Sequence, residues 1–356
     1  MYKLNKKINK DKFINDFEKF CPGHKYIPAI LPAAERVIAI GDIHGDYNLA
    51  LKLLKIGKVI DNDLNWIGGK TIVVQVGDQI DRCRPVNGFM CTIKDATIED
   101  EASDIKILEL FTKLHKKAEE HGGAVISLLG NHELLNTIGQ LHYVSYKGLH
   151  QFDRYRDPEN LNASFRSGED ARKYAFSPGK QYAKYLACTR LGSVVIGSNL
   201  FVHAGIVDGL LDELNINKNA DIEVINIAIS KWLLGMLKQK YINRIINASE
   251  YSMFWTRILG YLPPDLKPND KMCQNNLSRV LKLFKINGMI VGHTPQSFYS
   301  SDGINSTCGN IWRVDNGSSS AFHNFDPEYM NTGKMSHSRR PQVLEILNDK
   351  IYNVLE

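Results

Sequence analysis

Five short polar clusters in this chain carry residue types that can do chemistry. They are Gly41-Asp42-Ile43-His44-Gly45, Gly77-Asp78-Gln79-Ile80-Asp81-Arg82, Gly130-Asn131-His132-Glu133, His203-Ala204-Gly205 and Gly292-His293. Asp42 and His44 stand two residues apart on a glycine-flanked turn, where the glycines let the backbone bend so that both side chains converge. Carboxylate, imidazole and amide oxygen together suit borderline divalent ions such as Mn²⁺, Zn²⁺ or Fe²⁺. Asp42, His44, Asp78, Asn131, His203 and His293 are therefore candidate metal ligands. Four or five ligands would serve one ion. Six, with a central aspartate able to bridge, suit two ions roughly 3.5–4 Å apart, a spacing typical of in-line displacement at phosphorus.

Each cluster rides on the end of an apolar run. The runs are Val37-Ile38-Ala39-Ile40, Ile72-Val73-Val74-Gln75-Val76, Val125-Ile126-Ser127-Leu128-Leu129, Leu200-Phe201-Val202 and Met289-Ile290-Val291. Short, β-branched runs of this kind predict buried strands. In α/β sheets ligands bind just beyond the carboxyl ends of strands, so distant parts of the chain would build one site. Between the runs, Asp46 to Ile56 and Glu101 to His121 predict helices, the second ending at Gly122-Gly123. Strand, helix, strand, helix, strand suggests a parallel β-α-β-α-β core.

The flanks read differently. Phe13, Ile14, Phe17 and Phe20 predict an amphipathic helix over 3–20, stopped by Cys21-Pro22-Gly23. Residues 139–190 are rich in Tyr, Arg and Ser and predict an insertion of helices and loops. That insertion brings Tyr143, Tyr146, Tyr155, Arg166, Arg172 and Tyr174, which are expected to read the substrate. Asn275 to Phe284 predicts a helix. The tail alternates over 310–315, 342–347 and 350–355, with Asn348-Asp349 as a hairpin turn. The expected organisation is an N-terminal helical extension over 1–34 and one catalytic domain over 35–356.

Bulk properties exclude other classes. Net charge is +5, from 44 basic and 39 acidic residues, too small and dispersed to argue for nucleic acid. No apolar stretch reaches membrane-spanning length, and Met1 to Lys12 has no apolar centre of a secretory signal. The six cysteines show no C-x-x-C pair, so they are expected to be reduced thiols in the cytoplasm or another reducing compartment. Cys273 and Arg279 have the spacing of a cysteine-dependent phosphatase loop. The residues between them hold no glycine to cradle phosphate, so that match reads as accidental.

At its five clusters the chain resembles the phosphoprotein phosphatase branch of the metallophosphoesterases, whose pattern is GDxHG, GDxxDRG, GNHE, a later H-[AG]-G and GHT. Outside them it resembles Shewanella-like protein phosphatases, through Gln79, Ala175-Phe176-Ser177-Pro178-Gly179, Phe254-Trp255-Thr256-Arg257 and Val314-Asp315-Asn316-Gly317-Ser318. The resemblance implies a calcineurin-like α/β fold, a central β-sandwich of two mixed sheets flanked by helices. It implies two divalent ions, with Mn²⁺ preferred over Fe or Zn. Asp42, His44 and Asp78 would hold the first ion; Asp78, Asn131, His203 and His293 would hold the second. A hydroxide between the ions would attack phosphorus. His132 would protonate the leaving oxygen, with Asp81 orienting it, and Arg82 would bind phosphate beside Asn131. Arg257 is the candidate for a second phosphate clamp. Cys83 departs from the pattern, which has glycine there.

The implied activity is hydrolysis of phosphoserine, phosphothreonine or phosphotyrosine in a protein. Two alternatives stand beside it: hydrolysis of dinucleoside polyphosphates or other phosphoesters on the same fold, and a catalytically weak phosphoprotein-binding module. A diesterase is disfavoured because Thr294-Pro295 follows Gly292-His293, where such enzymes add another histidine.

Overall fold

The strands form where the apolar runs lie. A computed structural model describes residues 1, 4, 7–86, 90–299 and 303–356. In chain order its strands are β1 (Ile30–Leu31), β2 (Arg36–Ile40), β3 (Ile72–Gln75), β4 (Ala124–Leu128), β5 (Arg190–Leu191) and β6 (Ser193–Ile196). They continue as β7 (Asn199–Val202), β8 (Gly288–Val291), β9 (Asn305–Thr307), β10 (Ile311–Arg313), β11 (Val343–Leu347) and β12 (Ile351–Leu355). One sheet has the order β12-β11-β2-β3-β4-β5 and the other β1-β6-β7-β8-β10-β9. β2 through β5 run parallel, and β11 closes their edge antiparallel to β2.

The sheets face each other because every second side chain is apolar on both surfaces. Val37, Ala39, Val74 and Ile126 point inward and meet Val194, Phe201 and Ile290 of the other sheet. Their neighbours Ile38, Ile40, Val73 and Val125 point outward, under Leu53, Leu54, Ile107 and Phe111 of two helices. A second helical layer covers the other sheet, packing Ile225, Trp232 and Leu277 near Leu200 and Met289. The expected sandwich with helices outside is the observed architecture.

Local chemistry sets the helix bounds. The helix after β2 spans Tyr47–Ile56, and the Asp46 carboxylate accepts the Leu49 N–H at 2.9 Å as its cap. The next begins at Asp104, three residues later than expected, because the Glu101 carboxylate is drawn instead to Arg82 and the Tyr47 N–H. The N-terminal helix breaks at Asp16 into Lys10–Asn15 and Phe17–Phe20. The start of the expected 3–20 helix falls partly outside the described residues. Phe13 and Phe17 are buried, and β1 joins the second sheet beside β6. The insertion carries helices at Tyr146–His150, Gly168–Phe176 and Gln181–Thr189. Asn348 and Asp349 both take positive φ, 50° and 64°, the backbone of a tight two-residue hairpin.

One expectation is corrected. The cysteines are not free thiols: Cys21 pairs with Cys188, Cys83 with Cys91 and Cys273 with Cys308. The fold brings together cysteines up to 167 residues apart, which spacing along the chain does not reveal. A reducing compartment, inferred from free thiols, loses that support. Cys273 lies on the helix Lys271–Phe284, and Arg279 pairs with Asp212 at 2.7 Å, so no phosphate loop exists there. No helix among the described residues is long and apolar enough to cross a membrane. Denatured without reductant, the protein should take up no thiol alkylating reagent, and mass spectrometry after reduction should show all six cysteines alkylated. Removing the long Cys21–Cys188 link by double alanine substitution should lower unfolding free energy by about 2–5 kcal/mol, read by denaturant titration.

Candidate two-metal active site

The loops after β2, β3, β4, β7 and β8 meet at one edge of the sandwich. Four residues there, His44, Asp78, Asp81 and His293, have positive φ of 47°, 53°, 70° and 65°. Non-glycine residues reach this region at a cost, so the surrounding contacts must hold them. The main holder is Glu133, which is fully buried. Its carboxylate accepts the N–H groups of Gly130 at 2.7 Å, Gln79 at 2.8 Å and Asp78 at 3.0 Å. Gly130 has no room for a side chain, since a Cβ there would lie 2.1 Å from Asp78 Oδ1.

Asp78 divides its two oxygens. Oδ1 accepts the His132 N–H at 3.0 Å, at the start of the helix Asn131–Thr137. Oδ2 faces three imidazoles: His203 Nε2 at 3.4 Å, His44 Nε2 at 3.8 Å and His132 Nε2 at 3.8 Å. Asp42 Oδ2 lies 3.8 Å from His44 Nε2 and accepts the His293 N–H at 3.0 Å. Each far imidazole is oriented from behind. His203 Nδ1 donates to the Val76 carbonyl at 3.0 Å, leaving Nε2 beside Asn131 Oδ1 at 2.9 Å. His293 Nε2 donates to the Trp255 carbonyl at 3.1 Å, leaving Nδ1 free.

Two groups of potential ligand atoms result, His44–Asp78–His132 and Asp78–His203–His293, sharing Asp78. The donor set fits a cation pair. Asp42 Oδ1, His44 Nδ1 and Asp315 Oδ2 are buried without a hydrogen-bond partner. Burial, then Asp315 and Asp78, push the Asp42 carboxyl well above its ordinary pKa. Burial likewise lifts Asp315 to about 6 and holds His44 and His293 well below the usual imidazole range. At Asp78 burial acts upward, but His203, His132 and His44 outweigh it and keep the carboxyl well below normal.

Behind the cavity, His132 Nδ1 lies 2.9 Å from Asp81 Oδ2, so its Nε2 is turned toward Asp78. Asp81 also accepts Asn136 Nδ2 at 2.9 and 3.0 Å. Arg172, from the insertion, is completely buried and bonds Asp104 at 2.7 Å, Asn136 Oδ1 at 2.8 Å and Asp81 at 3.4 Å. Arg172 was expected to read substrate and instead braces the Asp81–His132 pair.

The cavity in front has a volume of about 660 Å³. Arg257 lines it and donates to the His293 carbonyl at 3.1 Å. Arg82 does not line it. Its Nη1 donates to the Gly45 carbonyl and the Glu101 carboxylate, both at 2.9 Å. Arg84, two residues on, lines the cavity instead. Of the insertion residues, only Tyr143 reaches it; the other walls are Trp255, Tyr261, Phe298, Tyr299 and Phe322. Tyr155 packs on Phe152 and Phe165, and Arg166 extends into solvent.

The calcineurin-like phosphoesterase family model matches residues 35–297. The chain belongs to the calcineurin-like phosphoesterases. An uncharacterized protein of Acanthamoeba polyphaga mimivirus is 40% identical over 69% of this chain and 97% of its own length. Shewanella-like protein phosphatase 2 of Arabidopsis thaliana is 28% identical over 90% of this chain and 80% of its own. Among solved structures, a cold-active protein-tyrosine phosphatase of a psychrophilic Shewanella shares the fold, with TM-score 0.60 and 20% identity over 93% of this chain and 83% of that one. The chain is a metal-dependent phosphoesterase with a two-metal site.

Several residues that hold this phosphoesterase's site together lie outside the candidate set named from the sequence. Glu133 belongs to the Gly130-Asn131-His132-Glu133 cluster, at the third helical position where a carboxylate can reach back to free N–H groups. Asn136 stood one turn beyond His132, on the same helix face. Arg84, Arg172 and Asp104 gave no local signal of their roles. Glu133→Gln replaces an acceptor with an NH₂ group facing backbone N–H donors. It should destabilise the phosphoesterase by about 2–3 kcal/mol. Metal analysis should show lowered occupancy, because the Asp78 loop is no longer held.

Proposed function

We propose that this phosphoesterase is a phosphomonoesterase acting on phosphoproteins. The carrying observation is a single carboxylate oxygen, Asp78 Oδ2, shared between two ligand groups with the His132 imidazole 3.8 Å away. Asp42, His44 and Asp78 would hold one ion, and Asp78, Asn131, His203 and His293 the other, with Mn²⁺ the preferred metal. Bound there, two divalent cations supply Lewis acidity toward a phosphoryl group and acidify water.

The protein's own groups do the rest. Asp81 accepts the proton on His132 Nδ1, which fixes the ring and leaves Nε2 to give its proton to the departing oxygen. Asn136 and Arg172 bond the remaining oxygen positions of Asp81, which holds the carboxylate in place behind His132. Arg257 and Asn131 face the space a phosphate would fill. The aromatic walls support a phosphotyrosine ring as the preferred leaving group, in keeping with the Shewanella relative's being a protein-tyrosine phosphatase.

Four measurements test this reading. Exhaustive chelation should abolish hydrolysis of p-nitrophenyl phosphate and Mn²⁺ should restore it, while the bis-p-nitrophenyl diester is turned over far more slowly. Asp78→Asn should lose bound metal and activity together; a fully active variant would sink the shared-carboxylate model. His132→Asn should slow a phosphoserine peptide by about 100-fold or more. The loss on p-nitrophenyl phosphate should be much smaller, because that leaving group needs little protonation. A phosphopeptide panel should show phosphotyrosine turned over faster than phosphoserine.

A further inference from the structure

We propose that Arg84, and not Arg82, is the guanidinium that grips the substrate's phosphate in partnership with Arg257. The proposal rests on the phosphomonoesterase reading above and assigns a residue that the motif itself does not point to.

Arg82 is already spent on the fold. Its side chain is 5% exposed, and Glu101 neutralises it at 2.9 Å, with Asp46 at 3.9 Å. Its bonds tie the loop after β2 to the segment before the helix Asp104–Glu119. It is not among the residues that line the cavity in front of Asp78. With its charge paired to Glu101 and its side chain outside the cavity lining, Arg82 is not placed to take a phosphate.

Arg84 has the opposite surroundings. It lines the cavity together with His44, Asp78 and His132. Its hydrogen bonds go only to backbone carbonyls, through Nη1 to Cys83 at 2.8 Å and Asp81 at 3.0 Å. Among the described residues no carboxylate comes within 4.0 Å of it. The guanidinium lies over Phe322, 4.8 Å from the ring centre, and 5.6 Å from that of Tyr143. Aromatic faces hold the plane without consuming its N–H groups. Nε and Nη2 therefore keep a fork of donors for a doubly charged oxyanion.

The backbone explains why the role moves two positions along. Cys83 stands where the pattern has glycine, and it is buried in a disulfide with Cys91. Its N–H donates to the Tyr143 carbonyl at 2.9 Å. Pro85 then restricts the chain on the other side of Arg84. The segment leaves the metal loop along the cavity wall, so Arg84 is delivered to it. Arg84 and Arg257 serve different ends of the site: the first donates to the Asp81 carbonyl and the second to the His293 carbonyl.

The test is titration calorimetry of inorganic phosphate on the Mn²⁺-loaded protein, with metal content measured in parallel. Arg84→Ala should weaken phosphate binding by about tenfold or more at unchanged metal content. Arg84→Lys should recover only part of that, since a point charge does not reproduce the fork. Arg82→Gln should lower the unfolding temperature but leave phosphate affinity of the folded protein within about twofold. Phosphate affinity of Arg84→Ala within about twofold of the parent would overturn the proposal. So would a tenfold loss in folded, metal-replete Arg82→Gln. Because calorimetry reads binding, a parent that binds phosphate yet hydrolyses no phosphomonoester would refute the functional reading and leave the Arg84 assignment standing.

Discussion

The site depends on one buried carboxylate. Glu133 is removed from water, which is costly for a charge unless it is fully bonded. It is bonded by three backbone N–H groups, from Gly130, Asp78 and Gln79. Two of them belong to the loop after β3 and one to the loop after β4. The carboxylate thus clamps adjacent loops and holds Asp78 at a positive φ that an unsupported aspartate would leave. With Asp78 held, its Oδ1 is engaged by the helix that carries His132, and Oδ2 alone is turned into the cavity.

The ligands come from both sheets. Asp42, Asp78 and Asn131 follow β2, β3 and β4, whereas His203 and His293 follow β7 and β8. Bonds across the gap lock the two halves in register: His203 to the Val76 carbonyl, and the His293 N–H to Asp42. Neither half could assemble the site alone. Sandwich packing and metal binding are coupled, because the inward apolar rows bring the two loop sets to the same edge.

Charge is distributed in layers around this edge. Nearest the cavity, buried aspartates crowd one another and the buried His44 and His293 imidazoles resist protonation, an arrangement that a cation relieves. One step back, Arg172 and Asn136 brace Asp81, so the insertion contributes to the proton-transfer pair and not to the substrate wall. That wall is built mostly from segments after β7, where Trp255, Phe298 and Phe322 lie. The expectation that the insertion reads substrate thus survives only at Tyr143.

Much of this protein was legible in its sequence. Short apolar runs specified strands and put Asp42, Asp78, Asn131, His203 and His293 beyond them, since strand ends and turns are local properties. Asn348-Asp349 announced the final hairpin for the same reason. Other features are decided by proximity in space. β1, β5 and β9 are short and gain stability only from neighbours in a sheet. The three disulfides join cysteines that no spacing relates. Arg82 and Arg84 are both cations after Asp81, and a local pattern favours the first. Only the folded chain shows Glu101 beside one and an aromatic-walled cavity beside the other, because the partner that neutralises a charge is chosen by tertiary structure.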